Sequence, residues 1–237
     1  MLASVDLFVL QTGAGQGENS VVIHLIVCRV STSGILWTLF TFGKETNSMR
    51  KLILSMQVSL DGFIEGPNGD MNWIIKDEAD QWQDLFEMLE SVDLFLLGRV
   101  MFPDYRNYWK QALTKQGFSA NEIAYAQLAE KTNHIVFSNT MKDPEWANTK
   151  INNGRVAEEV AKLKNQTGKD IQVVGGAKLA ATVIEAGLVD EYRLTINPVI
   201  VGSGKSFFKD QNTKRFLELI STKKLKSGVV IVRYKVK

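Results

Sequence analysis

Along residues 49–237 the apolar positions switch repeatedly between a period of two and a period near 3.6, as strands alternating with helices do. Lys51–Ser59 predicts a strand that runs into a Leu60-Asp61-Gly62 turn, and Glu65-Gly66-Pro67-Asn68-Gly69 predicts a second turn. Asp77–Val92 predicts an amphipathic helix, with Ala79, Trp82, Leu85, Phe86 and Leu89 on one face and Asp77, Glu78 and Asp80 suiting its N-terminus. Asp93–Leu97 reads as a buried strand ending at Gly98, followed by a short helix over Val100–Trp109 that includes or breaks at Pro103. Asn121–Lys131 is a helix, His134–Phe137 a strand, and Gly154–Lys164 a helix with Val156, Val160 and Leu163 inward. Ile171–Val174 is a β-branched strand that meets Gly175-Gly176, and the helix after it, Ala177–Ala186, stops at Gly187. Glu191–Val201 predicts a long strand that Pro198 assigns to an edge or a bulge. Phe216–Lys226 and Val229–Val236 flank Ser227-Gly228 as a closing hairpin, with Val230, Val232, Tyr234 and Val236 on one face. The expected class is α/β, with a mixed, mostly parallel central sheet, an antiparallel C-terminal hairpin and flanking helices.

The first 48 residues follow neither rhythm. A Gly/Gln/Asn/Ser-rich loop, Gly13–Ser20, precedes two apolar runs, Val21–Val30 and Ile35–Phe42, broken by Ser31-Thr32-Ser33-Gly34. Asp6 is the only early charge, which does not suit a signal peptide. His24, Arg29 and the Ser/Gly break interrupt any membrane span. Only Asp6, Glu18, Arg29, Lys44 and Glu45 are charged in this stretch. It is read as an atypical extension, residues 1–48, upstream of a regular domain over residues 49–237.

Composition then removes whole classes of chemistry. With 28 Lys+Arg against 26 Asp+Glu the net charge is +2, which gives no reason to expect a nucleic-acid partner. Cys28 is the single cysteine and forms no internal disulfide, as in a cytoplasmic protein. With only His24 and His134 besides, neither a zinc site nor a histidine-based triad is expected.

Three constellations remain. At Val173-Val174-Gly175-Gly176-Ala177-Lys178-Leu179 a helix begins directly after a buried strand, so free backbone N–H groups and the helix dipole point at one spot. Glycine there either admits a phosphate-bearing ligand or serves a tight turn. A second junction of the same form runs from Leu94-Phe95-Leu96-Leu97 into Gly98-Arg99, where the arginine adds a planar donor suited to phosphate. Two such junctions on the carboxyl edge of one α/β sheet favour a dinucleotide or similar ligand. The third is Ser59-Leu60-Asp61-Gly62 with Trp73 beyond it: a carboxylate at a strand end and a ring able to stack on a flat ligand, or else an Asp-Gly turn with a core tryptophan. Met71 and Trp82 read as core, and Tyr105, Tyr108 and Trp109 either wall a pocket or simply pack. Gly202-Ser203-Gly204-Lys205-Ser206 lacks the first glycine of a P-loop, since position 199 is valine, and is read as a turn.

Four stretches, in this order, resemble the dihydrofolate reductase-like superfamily, and within it the reductase domain of bacterial riboflavin biosynthesis and its stand-alone relatives. They are Leu54-Ser-Met-Gln-Val-Ser-Leu-Asp-Gly-Phe-Ile64, Leu97-Gly-Arg-Val-Met-Phe102, Ile171-Gln-Val-Val-Gly-Gly-Ala-Lys-Leu179 and Gly187–Gly204. The resemblance implies a three-layer fold with NADPH across the carboxyl ends of the strands. It assigns Gly98, Arg99 and Val100 to the adenosine-phosphate side, with Ser138 and Lys142 nearby. Gly175, Gly176, Ala177, Lys178 and Leu179 would hold the pyrophosphate. Asp61, as a catalytic or anchoring group, and Trp73 would border the nicotinamide and substrate pocket. Thr195 would approach the substrate, and Glu78 lies near the place of a first-helix carboxylate. The implied activity is hydride transfer to a small polar heterocycle, either pterin-like or like the riboflavin-pathway 5-amino-6-(5-phosphoribosylamino)uracil, by a cytoplasmic homodimer with no metal. The chain departs from the pattern at Val174, where the riboflavin-pathway reductases usually carry glutamate, and at Met101, where threonine or serine is common. Those departures favour an alternative, a non-catalytic protein that binds a nucleotide or flavin-like ligand on the same fold.

Overall fold

The computed structural model describes residues 7–10, 22–31, 34–43, 49–76, 79–208 and 214–237. The chain divides into two compact units, residues 1–48 and 49–237.

In the first unit, β1 (Leu7–Leu10), β2 (Val22–Ser31) and β3 (Gly34–Gly43) form an antiparallel sheet in the order β1-β2-β3. The two apolar runs are thus paired strands, in register from Ser31 opposite Gly34 to Val22 opposite Gly43. The Gly13–Ser20 loop lies outside the described residues.

The second unit carries an eight-stranded sheet between two layers of helix. Its strands are β4 (Leu52–Ser59), β6 (Val92–Gly98), β7 (Asn133–Phe137), β8 (Thr149–Asn152), β9 (Asp170–Gly175), β10 (Glu191–Asn197), β12 (Leu217–Lys224) and β13 (Val230–Val236). Their order is β12-β13-β10-β4-β9-β6-β7-β8, and β10, β4, β9, β6, β7 and β8 run parallel, with β13 antiparallel to both neighbours. β5 (Phe63–Glu65) and β11 (Lys205–Ser206) pair separately.

One face of the sheet packs on α4 (Val156–Lys164) and α5 (Ala177–Glu185), burying Leu52, Leu54, Leu96, Val173, Val183 and their neighbours. The other face packs on α1 (Ala79–Leu89), α2 (Phe102–Thr114) and α3 (Ala120–Lys131), with Ile53, Phe95, Leu97, Phe102 and Val136 inside. Each fully buried Leu, Ile or Phe contributes about 1.5–3 kcal/mol, so these two clusters dominate the stability of the unit.

Several expected boundaries shift for identifiable reasons. The helix predicted over Asp77–Val92 is described from Ala79 to Leu89, and β6 already begins at Val92. Pro103 does not interrupt α2: it occupies the first turn, where its missing N–H costs no bond. α3 begins on a capping box in which Ser119 and Glu122 satisfy each other's backbone N–H groups. The expected edge or bulged strand Glu191–Val201 is instead the central strand β10, which ends at Asn197, so Pro198 falls outside the ladder. Met71, expected in the core, is 49% exposed. Among the described residues no helix is long and apolar enough to cross a membrane, and no cluster of potential metal ligands occurs.

Candidate functional site

The parallel strands end on one edge, and the residues at those ends divide it in two. On the β9–β6–β7 side the surface is backbone. Leu97 is registered opposite Gly175, so the two glycine junctions lie side by side. Gly176 has φ +107°, and a Cβ there would sit 2.8 Å from the Cα of Gly98. A Cβ on Gly98 would in turn lie 3.1 Å from the Cα of Gly176. On Gly175, a Cβ would meet the Met101 sulfur at 2.2 Å. Close packing therefore already accounts for all three glycines.

The case for a ligand comes from their neighbours. α5 starts at Ala177 with no side chain capping its N-terminus, so the dipole of a nine-residue helix is open there. The side chains of Arg99, Lys142 and Lys178 are exposed on the same edge and make no hydrogen bond or ion pair among the described residues. Ser138 is buried, and its Oγ accepts from the N–H groups of Thr140 and Met141 (3.2 and 2.9 Å), which leaves its O–H to donate. Val100 is 71% exposed, whereas Leu179 is buried in the core. An anionic cofactor with a pyrophosphate fits this donor set.

On the β4–β10 side the surface is made of side chains. Both strands alternate strictly: Leu52, Leu54, Met56 and Val58 with Tyr192, Leu194 and Ile196 face the α4–α5 layer. Ser55, Gln57 and Ser59 with Arg193, Thr195 and Asn197 face the opposite way, paired Arg193–Ser55, Thr195–Gln57 and Asn197–Ser59. This polar stripe is deeply buried, with Arg193 3% and Asn197 0% exposed. Arg193 donates from Nε to Oδ2 of Asp84 on α1 at 2.7 Å and from Nη1 to Ser55 and Thr195 at 3.3 Å. Burial lowers the guanidinium's pKa, and Asp84 opposes that shift. Asn197 donates to Oε1 of Gln57 at 2.9 Å and accepts from the Ile75 N–H at 2.9 Å.

Above this stripe lies a cavity of about 220 Å³, lined by Gln57, Arg193, Ile74–Lys76, Gln81, Trp82, Leu85, Tyr108, Trp109 and Glu122. Its apolar walls are tryptophans joined through Tyr125, whose ring lies 6.0 Å from Trp82 and 4.4 Å from Trp109. Trp82 packs against the core as expected and also walls the cavity, as do Tyr108 and Trp109, while Tyr105 is buried and hydrogen-bonds Tyr125 at 3.1 Å.

The residues expected to bind substrate are placed differently from one another. Thr195 lies beneath the cavity as a partner of Arg193. Trp73 is half-buried, donates to the Asp70 carbonyl at 3.1 Å and is not part of the lining, although Ile74 next to it is. Glu78 lies outside the described residues; the carboxylate that α1 sends to the sheet is that of Asp84. Asp61 is exposed and accepts from Ser59 Oγ at 2.6 Å, Val201 N at 3.1 Å and Gly202 N at 2.7 Å. The Ser59 hydroxyl above all, then the Gly202 and Val201 amides, hold its carboxyl down at about 2 against partial desolvation. A group so acidic stays ionised at neutral pH, and its geometry is that of an anchor tying the β4–β5 turn to the 199–204 loop. Asp84, Arg193, Gln57, Gln81 and Glu122 were not anticipated from the sequence. For Gln57 and Arg193 the signal was present as period-two polar positions of two otherwise apolar strands; Asp84, Gln81 and Glu122 are polar positions of helices, with nothing local to mark them.

Known proteins share this fold. Residues 50–231 match the RibD C-terminal domain family. The chain is 39% identical to the uncharacterized protein YyaP of Bacillus subtilis over 191 residues, 80% of this chain and 97% of that one. The solved deaminase/5-amino-6-(5-phosphoribosylamino)uracil reductase of Thermotoga maritima superposes with a TM-score of 0.58 at 17% identity, covering 81% of this chain and 58% of the other. Dihydrofolate reductase of Enterococcus faecalis, complexed with NADP(H), superposes with a TM-score of 0.51 at 13% identity, over 79% and 96% of the two chains. The fold is dihydrofolate reductase-like, and the chain belongs to the RibD C-terminal domain family.

Proposed function

We propose that the protein is an NADPH-dependent reductase of a planar polar heterocycle, of the pyrimidine or pterin kind. One observation carries the reading. The open N-terminus of α5, with three unpaired cations around it, and the aromatic-walled cavity over Gln57 and Arg193 occupy adjacent stretches of the same strand edge, β9–β6–β7 beside β4–β10. Ligands gather at such carboxyl edges. The Thermotoga protein, a 5-amino-6-(5-phosphoribosylamino)uracil reductase, and the Enterococcus dihydrofolate reductase, complexed with NADP(H), support the same pairing of substrate and cofactor.

NADPH, when bound, would supply a hydride to the ring, with the balancing proton drawn from water. The chain's own contribution is positional. The first-turn N–H groups of α5 receive the pyrophosphate, Arg99 and Lys142 the 2′-phosphate, and Trp82 and Trp109 enclose the ring and exclude water. Two charge-assisted bonds to that phosphate favour NADPH over NADH by about 100-fold. The reading also takes the protein as a homodimer.

Titration with NADPH tests it. Quenching of tryptophan fluorescence and a rise in Tm are expected, followed by NADPH oxidation with one of a panel of pyrimidines, pterins and quinones. NADPH that neither quenches nor stabilises overturns the reading. Tight binding without oxidation across the panel replaces it with a nucleotide-binding accessory protein, for which Met101 packed on Gly175 already speaks.

A further inference from the structure

On the α4–α5 side the apolar stripe of the sheet runs further than the helices that cover it. α5 packs against β9 and β6. The stripe continues outward through Leu194 and Ile196 on β10, Val232, Tyr234 and Val236 on β13, and Leu217 and Leu219 on β12. Cover thins strand by strand: Tyr192 is buried, the β13 residues are half-buried, and Leu217 and Leu219 are 36% and 50% exposed. Phe208, also exposed, extends the patch, its ring 6.3 Å from that of Tyr192. Most charge of the hairpin lies on the other face, where Glu218 pairs with Lys235 at 3.1 Å and Arg233 with Glu191. Of the charged positions of β12 and β13 only Lys224 shares the apolar face, at its end.

β12 is an edge strand of eight residues, and such edges invite pairing with another chain. Here a bulge stands in the way: Leu219 is registered with Tyr234 and Ser221 with Arg233, so Ile220 is an extra residue that breaks the ladder. What is left for association is the face of the sheet. A stable dimer buries about 800 Å² on each partner, a little more than half of it apolar. The exposed parts of Phe208, Phe216, Leu217, Leu219 and Ile220 amount to roughly 450 Å², which matches that apolar share.

We propose that this face, centred on Leu217 and Leu219, docks a second copy of the chain, the two sheets packing apolar face on apolar face about a two-fold axis. An apolar sheet face is complementary to its own copy, because two such faces interdigitate with their strands nearly aligned. A partner chosen by charge would need ions within the patch, and Lys224 at its end is the only one the ladder offers. A net charge of +2 does not oppose self-association. The inference rests on the reductase reading only in taking up its homodimer, to which it assigns a surface.

Sedimentation and light scattering of the full chain over a wide range of concentration test the assignment. Twice the chain mass is expected for the wild type, with a Tm that rises with protein concentration. Leu219→Lys is expected to weaken the dimer at least about 100-fold, since the two-fold axis places the buried charge in the interface twice. Leu217→Lys should act alike and keeps the test decisive if the first variant does not fold. Leu113→Lys, at a comparably exposed apolar position of α2 across the sheet, should leave the dimer intact. A dimer that Leu219→Lys and Leu217→Lys leave unchanged, or that Leu113→Lys breaks as readily, overturns the proposal. So does a wild type that stays monomeric; if its Tm then falls in Leu219→Lys, the face is covered from within the chain. NADPH binding is measured on the same samples. A dimer through this face without NADPH binding removes the reductase reading and leaves this inference; NADPH binding by a monomer does the reverse.

Discussion

At the β6 and β9 junctions the edge of the sheet is backbone, packed so closely that Gly98 and Gly176 leave no room for a Cβ, whereas one strand over, at β4 and β10, it is a stripe of buried polar side chains. The difference teaches how each half is specified. Backbone donors read charge and shape, so that half needs small residues, an open helix end and a few exposed cations, and tolerates little change at the glycines. Side chains read donor and acceptor pattern, so the other half rests on a network in which each member is held by the next: Asp84 on Arg193, Arg193 on Ser55 and Thr195, Asn197 on Gln57. One half suits what all users of a cofactor share, and the other what distinguishes one substrate from another.

The largest expected effect breaks the side-chain half. Arg193→Met leaves the Asp84 carboxylate buried without its partner and should cost about 3–5 kcal/mol in urea denaturation. Adding Asp84→Leu should recover most of that loss, because an apolar pair of similar volume removes the stranded charge. A double variant as unstable as the single one would show that the stripe contributes by packing rather than by charge compensation.

Next comes the backbone half. Gly176→Ala forces a side chain into a positive φ and against the Gly98 Cα, for an expected loss of about 2–4 kcal/mol and of NADPH binding together. Binding of a pyrimidine or pterin in the β4–β10 cavity should survive in the fraction that remains folded, which calorimetry at low temperature resolves. If both ligands are lost equally, the two halves are not separable.

His134, on β7 beneath the backbone half, is 1% exposed among Phe95, Tyr105 and Trp146, with no hydrogen bond to either ring nitrogen. Burial lowers its pKa from 6.5 to about 4, opposed only in part by the Thr132 backbone. Because the folded pKa is the lower one, the unfolded chain binds the extra proton. The contribution is complete above pH 6.5 and is lost as pH falls toward 4, by about 2 kcal/mol at pH 5. Comparing His134→Phe with the wild type in pH-dependent denaturation should flatten this slope and leave the cavity's ligand preference unchanged.

The smallest effect on the fold is also the sharpest on recognition. Arg99 is exposed and its side chain has no hydrogen bond or ion pair among the described residues, so Arg99→Ala should leave Tm unchanged while weakening NADPH about 10-fold and NADH hardly at all. A matching loss for NADH would move Arg99 away from the 2′-phosphate.

The extent to which each half could be read in advance follows from its physics. Gly98, Gly175 and Gly176 stand out in a sequence because glycine between a β-branched strand and a helix is a local feature, and the uncapped start of α5 follows from the same few residues. The polar stripe is also written locally, as alternation in Leu52–Ser59 and Glu191–Asn197, but alternation says only that two faces differ. That the polar face is buried as well as the apolar one depends on β10 lying inside the sheet, and Pro198 suggested the opposite until the strand proved to end at Asn197. Asp61 shows the converse: a carboxylate at a strand end looks chemical in one dimension, and three short hydrogen bonds make it an anchor in three.

By itself, then, the sequence determined the helices and most of the strands of residues 49–237, though not β8, that two glycine junctions lie on one edge, and that residues 1–48 differ in kind from the remainder, since all of these follow from period, composition and local backbone freedom. Tertiary structure alone decided that Asp84 meets Arg193 across 109 positions of chain, that Trp82 and Trp109 wall a cavity while also packing on the core, and that Gln81 has no partner for its side-chain oxygen among the described residues. The reason is physical: a hydrogen bond or an ion pair has a partner, and the identity of that partner is fixed by which strands lie side by side, which no local pattern encodes.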